Sequence, residues 1–150
     1  MKIKKLFSFI VMACAVAGAG CAGTQSKVKK GEIQKTIDQE AVHKNYIESI
    51  GIGAADSTLT NSTQRKATSR NAAIVQAQYE MLSMIKGLQL EGGITVEKAM
   101  ETDSKIKTTI DAEIKGAEII KTEWTNDDGC VATLRLNKKR LEEMMGIKFK

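Results

Sequence analysis

The sequence predicts an α+β domain in which a small, mainly antiparallel sheet carries two longer helices on one face. Residues 46–54 alternate between two sets of side chains with the period of a β-strand. Apolar residues then recur at helical spacing over Asn61–Lys86 and again over Thr102–Ile114. Two more strand-like runs flank the turn sequence Asn126–Gly129. Since only one face of each strand is apolar, both helices are expected on that face.

The first twenty-one residues have the pattern of a lipoprotein signal peptide. Met1–Lys5 is cationic, Leu6–Ala17 is apolar, and small residues follow up to Cys21. The apolar run is shorter than the roughly 20 residues that a membrane-spanning helix needs, so we interpret it as a cleaved signal. Cys21 is then the lipidated first residue of the mature protein.

Two alternatives to lipidation at Cys21 stay open. The bacterial lipobox prefers an aliphatic residue three positions before the cysteine, and Gly18 occupies that position. Cys14 has Val11 there, but the apolar run before it is only about eight residues long. Ordinary secretory cleavage is the third interpretation. With Cys21 as the acceptor, Ala22 follows it instead of aspartate, which resembles the pattern of outer-membrane lipoproteins of Gram-negative bacteria.

We divide the chain into four parts. Residues 1–20 are the signal peptide, 21–45 a lipidated tether, 46–146 the folded domain, and 147–150 a tail. The first part of the tether is polar and rich in lysine, and it has too few apolar residues to fold by itself. Within it, Ile37–Asn45 is compatible with either a short helix or an extended segment.

Composition argues against nucleic acid as a partner. The formal charge of +5 includes three of the 23 basic residues in the signal, which leaves 20 basic residues against 18 acidic ones. Only four aromatic residues follow the signal, so stacking platforms for bases are scarce.

Residues 46–54 are predicted to form a strand with Gly51 and Gly53 on one face. Two glycines on the same face indicate a close neighbour, most simply the helix that follows. A dinucleotide-binding loop is the alternative, but its third glycine would fall on Asp56.

The helix Asn61–Lys86 is expected to begin with Asn61 or Ser62 as its cap and to end at a left-handed Gly87. Its basic residues Arg65, Lys66 and Arg70 lie near the positive end of the helix dipole, so we expect them to be solvated or paired with acids instead of binding phosphate. The apolar stripe that should face the sheet comprises Ala67, Ile74, Ala77, Met81, Ile85 and Leu88.

The second half of the chain is predicted from shorter patterns. Residues 88–90 and 94–96, interrupted by Gly92-Gly93, indicate one long edge strand or a bent strand. Residues 117–125 and 130–136 form a hairpin whose turn glycine has positive φ, and Cys130 points inward. A last short helix begins after Asn137 and ends at Gly146. Asp127 and Asp128 could be metal ligands, but they lack the acidic pattern of a calcium loop, which favours a turn.

No catalytic or cofactor site is predicted. His43 is the only histidine, and nothing in the sequence marks a nucleophile to accompany it. No pair of residues has metal-ligand spacing, so no metal and no cofactor are expected. A ligand-binding site cannot be assigned, and Cys21 is the one site residue.

Three stretches carry a resemblance to a known family. They are Tyr46–Ala55, the helical Arg70–Ala77, and Gly116–Leu134 with its Asp-Asp-Gly-Cys turn. Together with the lipobox they resemble the LPP20 lipoprotein family over about residues 46–141. The family is similar to the amino-terminal domain of a flagellar outer-membrane ring protein, and its members are outer-membrane or surface lipoproteins. The Gly92-Gly93 break and the weak lipobox depart from the family pattern.

The resemblance implies a membrane-anchored lipoprotein, but the molecular role of the family's members is largely unknown. We expect a non-catalytic interaction module in the cell envelope, beside a flagellar or other assembly. The alternative is a carrier of small ligands or lipids, which would need a lined cavity. An enzyme would need a cleft with perturbed titrating groups, and the sequence marks none.

Overall fold

A computed structural model describes residues 41–150 and confirms the α+β class. The sheet is antiparallel with strand order β1-β2-β4-β3. Its strands are β1 (Ala41–Val42), β2 (Tyr46–Gly53), β3 (Glu118–Trp124) and β4 (Cys130–Asn137). The helices are α1 (Ser62–Lys86), α2 (Val96–Thr102), α3 (Ser104–Lys115) and α4 (Lys138–Met145). The predicted signal peptide, both candidate acceptor cysteines and most of the predicted tether lie outside the described residues. Of the two alternatives for the end of the tether, residues 41–42 adopt the extended one.

Helix α1 lies directly on β2, and two glycines allow the contact. A Cβ atom on Gly51 would overlap the carbonyl oxygen of Ala73 and the amide nitrogen of Ala77. A Cβ atom on Gly53 would overlap the carbonyl oxygen of Ser69 and lie 2.7 Å from the amide nitrogen of Ala73. The backbones of strand and helix therefore touch, as the paired glycines predicted.

The face of α1 that meets the sheet differs from the predicted stripe at its beginning. The buried residues are Ser69, Ala73, Ala77, Met81 and Ile85, at intervals of four. Ala67 was predicted to be buried, but it is exposed because it lies two residues before Ser69 and hence on the opposite side of the helix. On β2, the buried Ser49 hydroxyl has no hydrogen-bond partner among the described residues.

Helices α3 and α4 complete the core on the same side of the sheet. Ile106, Ile110 and Ile114 of α3 join Leu141 of α4 in one apolar cluster with Ile47 of β2. Their spacing of four residues is the predicted helical pattern, and α3 begins after the cap Asp103. The expected arrangement of the two longer helices on one face is confirmed.

The segment between α1 and α3 was predicted wrongly. Gln89 and Thr95 form an isolated antiparallel bridge across a tight turn, so no long edge strand exists there among the described residues. Gly92 and Gly93 have φ angles of 109° and 84°, which reverse the chain. The helix α2 that follows, capped by the Thr95 side chain, was not predicted.

Residues 147–150, set apart as a tail in the sequence analysis, are attached to the domain. Phe149 bridges Leu90, and the amide of Lys150 donates to the carbonyl of Gln89 at 2.9 Å. Ile147 and Phe149 pack against the apolar core.

Two expectations about glycine conformation are wrong, although α4 does end as predicted at Gly146, which is left-handed with φ 72°. Gly87 was expected to be left-handed but has φ −73°. In the hairpin turn the residue with positive φ is Asp128, at 64°, and not Gly129. A Cβ atom on Gly129 would lie 2.5 Å from the Thr125 hydroxyl oxygen, which a rotation of that side chain could relieve, and 3.3 Å from the carbonyl oxygen of Gly53.

We predict that Gly51→Ala lowers the free energy of unfolding by about 3 kcal/mol, because the added methyl group meets backbone atoms that cannot move aside. Gly87→Ala is the matched control, since its Cβ atom would make an ordinary contact 3.6 Å from the nearest atom. It should change stability by less than about 1 kcal/mol. Urea unfolding of both variants measures the difference, and equal effects would contradict the close contact.

Candidate functional surface

The side of α1 that faces away from the sheet carries a second apolar stripe, which we call the outer seam. It consists of Thr68, Ala72, Val75, Tyr79 and Leu82. Val75 is 64% exposed and Tyr79 66% exposed, whereas Leu82 is half-buried. The intervals of four and three residues are those of the contact positions in paired helices. The outer seam therefore has the pattern of a helix that packs against another helix.

No charged side chain interrupts the exposed part of the outer seam. Every exposed residue of α1 between Ala67 and Ser83 is uncharged, and Asn71 and Gln76 flank the apolar positions. Glu80 is half-buried and accepts a hydrogen bond of 2.6 Å from the Gln76 amide. Covering this surface would strip water from few charges, which is the costly part of burying a protein surface.

Two open depressions lie on either side of a ridge formed by Tyr79 and Leu82. The first, of about 220 Å³, lies between α1 and α3 and is lined also by Gln78, Asp111, Ile114 and Lys115. The second, of about 350 Å³, is lined also by Ser83, Lys86, Gly87 and Glu97. A ridge between two hollows can interdigitate with side chains of a partner helix.

Arg65 and Lys66, near the start of α1, form ion pairs with Asp128. The Arg65 guanidinium donates to the Asp128 carboxylate from Nε at 2.9 Å and from Nη2 at 2.7 Å, and Ser62 donates at 3.0 Å. Lys66 lies 3.6 Å from the same carboxylate, and the Ser69 hydroxyl donates to the Asp128 carbonyl. The Arg65 hydrogen bond lowers the pKa of Asp128. Arg65 and Lys66 are thus paired with an acid, as predicted. The same contacts join the turn between β3 and β4 to α1.

A cleft at the opposite end of the sheet contains charged residues that pair with each other. Arg135 donates to Glu48 at 2.8 Å and lies over the Tyr46 ring, and Arg140 forms two bonds of 2.9 and 3.1 Å with Glu113. The cleft has a volume of about 350 Å³. Each guanidinium of the cleft already has a carboxylate partner, so neither arginine is available to bind an anion, and Glu118 also lines the cleft.

His43 and Cys130 are not brought together. The imidazole Nε2 of His43 lies 4.0 Å from a Glu48 oxygen, and its ring packs against Tyr46. Cys130 is fully buried beside Ala73 and Ala132, as its inward position predicted, and burial raises the pKa of its thiol. A buried neutral thiol is a poor nucleophile.

Within residues 41–150, no three His, Cys, Asp or Glu side chains gather where they could hold a metal ion. None of the helices described there is long and apolar enough to cross a membrane. Comparison with protein families, curated proteins and solved structures found no match. The resemblance to the LPP20 family remains a prediction. Cys21, the one site residue predicted, lies outside the described residues.

Sequence reasoning missed the outer seam, although its signal was present. The residues of the seam repeat at the same helical period as the buried stripe and lie between its members. The buried stripe alone is sufficient to place α1 on the sheet, so the repeat of Val75 and Tyr79 led to no prediction of its own.

We predict that Asp128→Asn destabilises the domain at neutral pH and not in strong acid. Asparagine tolerates positive φ, so the variant isolates the charge. Since the folded pKa is lowered, the stabilisation is fully present above the unfolded pKa and is lost as the pH falls through the folded pKa. The urea midpoints of variant and wild type should therefore converge on acidification. Asp111→Asn, which removes a carboxylate without an ion pair in the described part of the chain, should follow the wild type at every pH.

Proposed function

We propose that this chain is a lipoprotein anchored in the outer membrane through Cys21, and that it acts as a non-catalytic interaction module of the cell envelope. The observation that carries the proposal is the outer seam, a stripe of exposed and uncharged side chains on the longest helix. An exposed apolar stripe with polar flanks is typical of a protein–protein contact. The resemblance to the LPP20 family and to a flagellar ring domain supports an envelope assembly as the setting.

The spacing within the seam suits a helix as the partner. An amphipathic helix would place its own apolar residues between Val75, Tyr79 and Leu82 and into the two hollows beside them. Tyrosine is enriched among residues that dominate binding energy, and burying Tyr79 or Val75 contributes roughly 1–3 kcal/mol each.

The seam itself is uncharged, whereas the hollows beside it are lined by Asp111 and Lys115 and by the Lys86–Glu97 pair. A partner helix should therefore carry its charges at the edge of the contact and not over the seam, where a lone charge would be buried without a counter-charge.

A carrier of small ligands or lipids is less well supported. Such a protein needs an enclosed, lined cavity. Between α1 and β2 there is no room for even one additional Cβ atom at Gly51 or Gly53. The apolar interior is filled by side chains of the helices and the sheet, among them Met81, Ile85 and Ile110.

Photocrosslinking in intact cells tests the proposal. A photoreactive phenylalanine analogue at Tyr79 of the lipidated protein should give a discrete adduct with an envelope protein, and a second substitution, Val75→Glu, should remove that adduct. The same analogue at Met144, which is 55% exposed on α4, is the matched control and should not form it.

Further variants separate the anchor from the seam. Cys21→Ser should release the protein from membranes and weaken the adduct, whereas Cys14→Ser should do neither. Adducts that form equally from Tyr79 and Met144, or that survive Val75→Glu, would contradict binding through the outer seam.

A further inference from the structure

Four lysines from three separate segments surround one depression, which we call the basic cleft. They are Lys44 after β1, Lys138 and Lys139 at the start of α4, and Lys148 after its end. The depression has a volume of about 580 Å³ and is lined also by Asn45, Glu142, Glu143, Gly146 and Ile147. The amide of Lys138 donates to the Asn45 carbonyl at 3.0 Å, which joins two of the segments. The third is held by the bonds of residues 148–150 to the chain around Gln89.

The basic cleft carries a net positive charge, because four lysines line it against two glutamates, Glu142 and Glu143. Within the described part of the chain, Lys44, Lys138 and Lys148 form no ion pair, and the Lys138 ammonium lies 5.1 Å from the centroid of the Phe149 ring. Lys139 lies 3.9 Å from Glu143, but both side chains are mostly exposed, at 83% and 67%, so the pair is weak. Elsewhere within residues 41–150, Lys66, Lys86, Lys98 and Lys121 have an acidic neighbour, whereas the lysines of α3 do not, so what distinguishes the cleft is that four lysines line one depression.

Two of these lysines lie where a positive charge does not stabilise the helix. Lys138 and Lys139 open α4, where the helix dipole is positive, and the first turn has no acidic residue. Cations at that end are unfavourable for the helix. The dipole and the four ammonium groups therefore attract the same kind of partner, which is an anion.

The path of the chain indicates which anionic partner is near. Cys21 precedes Ala41 by twenty residues, and Lys44 follows three residues later. A chain of that length reaches at most about 70 Å even when fully extended. With the lipid anchor at Cys21, the tether root and the adjoining cleft are held close to the membrane surface at high effective concentration.

We propose that the basic cleft is the surface through which the domain contacts an anionic membrane, so that the lipid headgroups orient the tethered domain. The inference rests on the proposed lipid anchor and goes beyond it. A few lysines attract anionic lipid too weakly to recruit a free protein, but they can orient one that is already tethered. The contact is electrostatic and weakens with salt.

Energy transfer on vesicles tests the contact. The lipidated protein is placed in vesicles of phosphatidylcholine alone or mixed with phosphatidylglycerol, with an acceptor dye on a lipid headgroup. A donor dye on Asn45→Cys, at the cleft, should show higher transfer in the phosphatidylglycerol vesicles. A donor on Tyr79→Cys, on the outer seam, is the reference position and should show no such increase.

Two variants that lose the same number of positive charges test whether the increase in energy transfer depends on the lysines of the basic cleft. Replacing the four cleft lysines by glutamine should abolish the increase at Asn45→Cys. The control variant carries the same number of substitutions on α2 and α3: Lys98→Gln, Lys105→Gln, Lys107→Gln and Lys115→Gln. It should retain the increase, and high salt should remove it from both the control and the wild type.

The remaining outcomes would contradict the membrane contact, the identity of the anionic partner or the lipid anchor. Equal loss in the two charge variants, or no dependence on phosphatidylglycerol, would overturn the membrane contact while leaving the anchor intact. Suppression by inorganic phosphate, but not by sodium chloride of the same ionic strength, would instead identify a soluble phosphate as the partner. Protein that fails to float with either kind of vesicle would overturn the proposed anchor itself.

Discussion

The backbone contact between β2 and α1 is the constraint on which the rest of the structure depends. Gly51 and Gly53 let the helix approach until its own backbone atoms touch the strand, and Ser69, Ala73 and Ala77 are small enough to allow this. The larger residues Met81 and Ile85 follow on the same face and meet α3 where the sheet surface leaves more space. The taper from small to large side chains along α1 thus places the main apolar core at one end of the domain.

Because of this contact no ligand fits between α1 and β2, so the candidate functional surfaces lie on the outside of the domain. A sheet and a helix that touch along their backbones cannot enclose a ligand between them, and in the cleft lined by Arg135 and Arg140 both guanidinium groups are paired with carboxylates. What stays available are two surfaces of different chemistry. The outer seam is uncharged and is the proposed contact for a protein, whereas the basic cleft carries four lysines and is the proposed contact for an anionic membrane.

The elements that the sequence predicted well are those in which periodicity and residue size agree. Strand β2 alternates and α1 repeats, so their existence and their close contact could be inferred from Gly51 and Gly53. The turn at Gly92-Gly93 was not predicted, because two short apolar runs around glycines fit a bent strand and a reversal of the chain equally well. Helix α2 has seven residues, too few for a periodic signal. The outer seam and the basic cleft depend on which residues the fold leaves exposed, and the basic cleft joins lysines nearly a hundred positions apart.

The rate at which Cys130 reacts with a thiol reagent tests the closed contact most directly, because this side chain lies between β4 and α1 beside Ala73. In a chain with Cys14→Ser and Cys21→Ser, it is the only thiol. If the contact is as close as the glycines indicate, labelling in buffer should require global unfolding, and its rate should rise with urea in step with unfolding. Fast labelling that does not depend on urea would show that α1 separates from the sheet in the native state and would contradict a permanently closed interior.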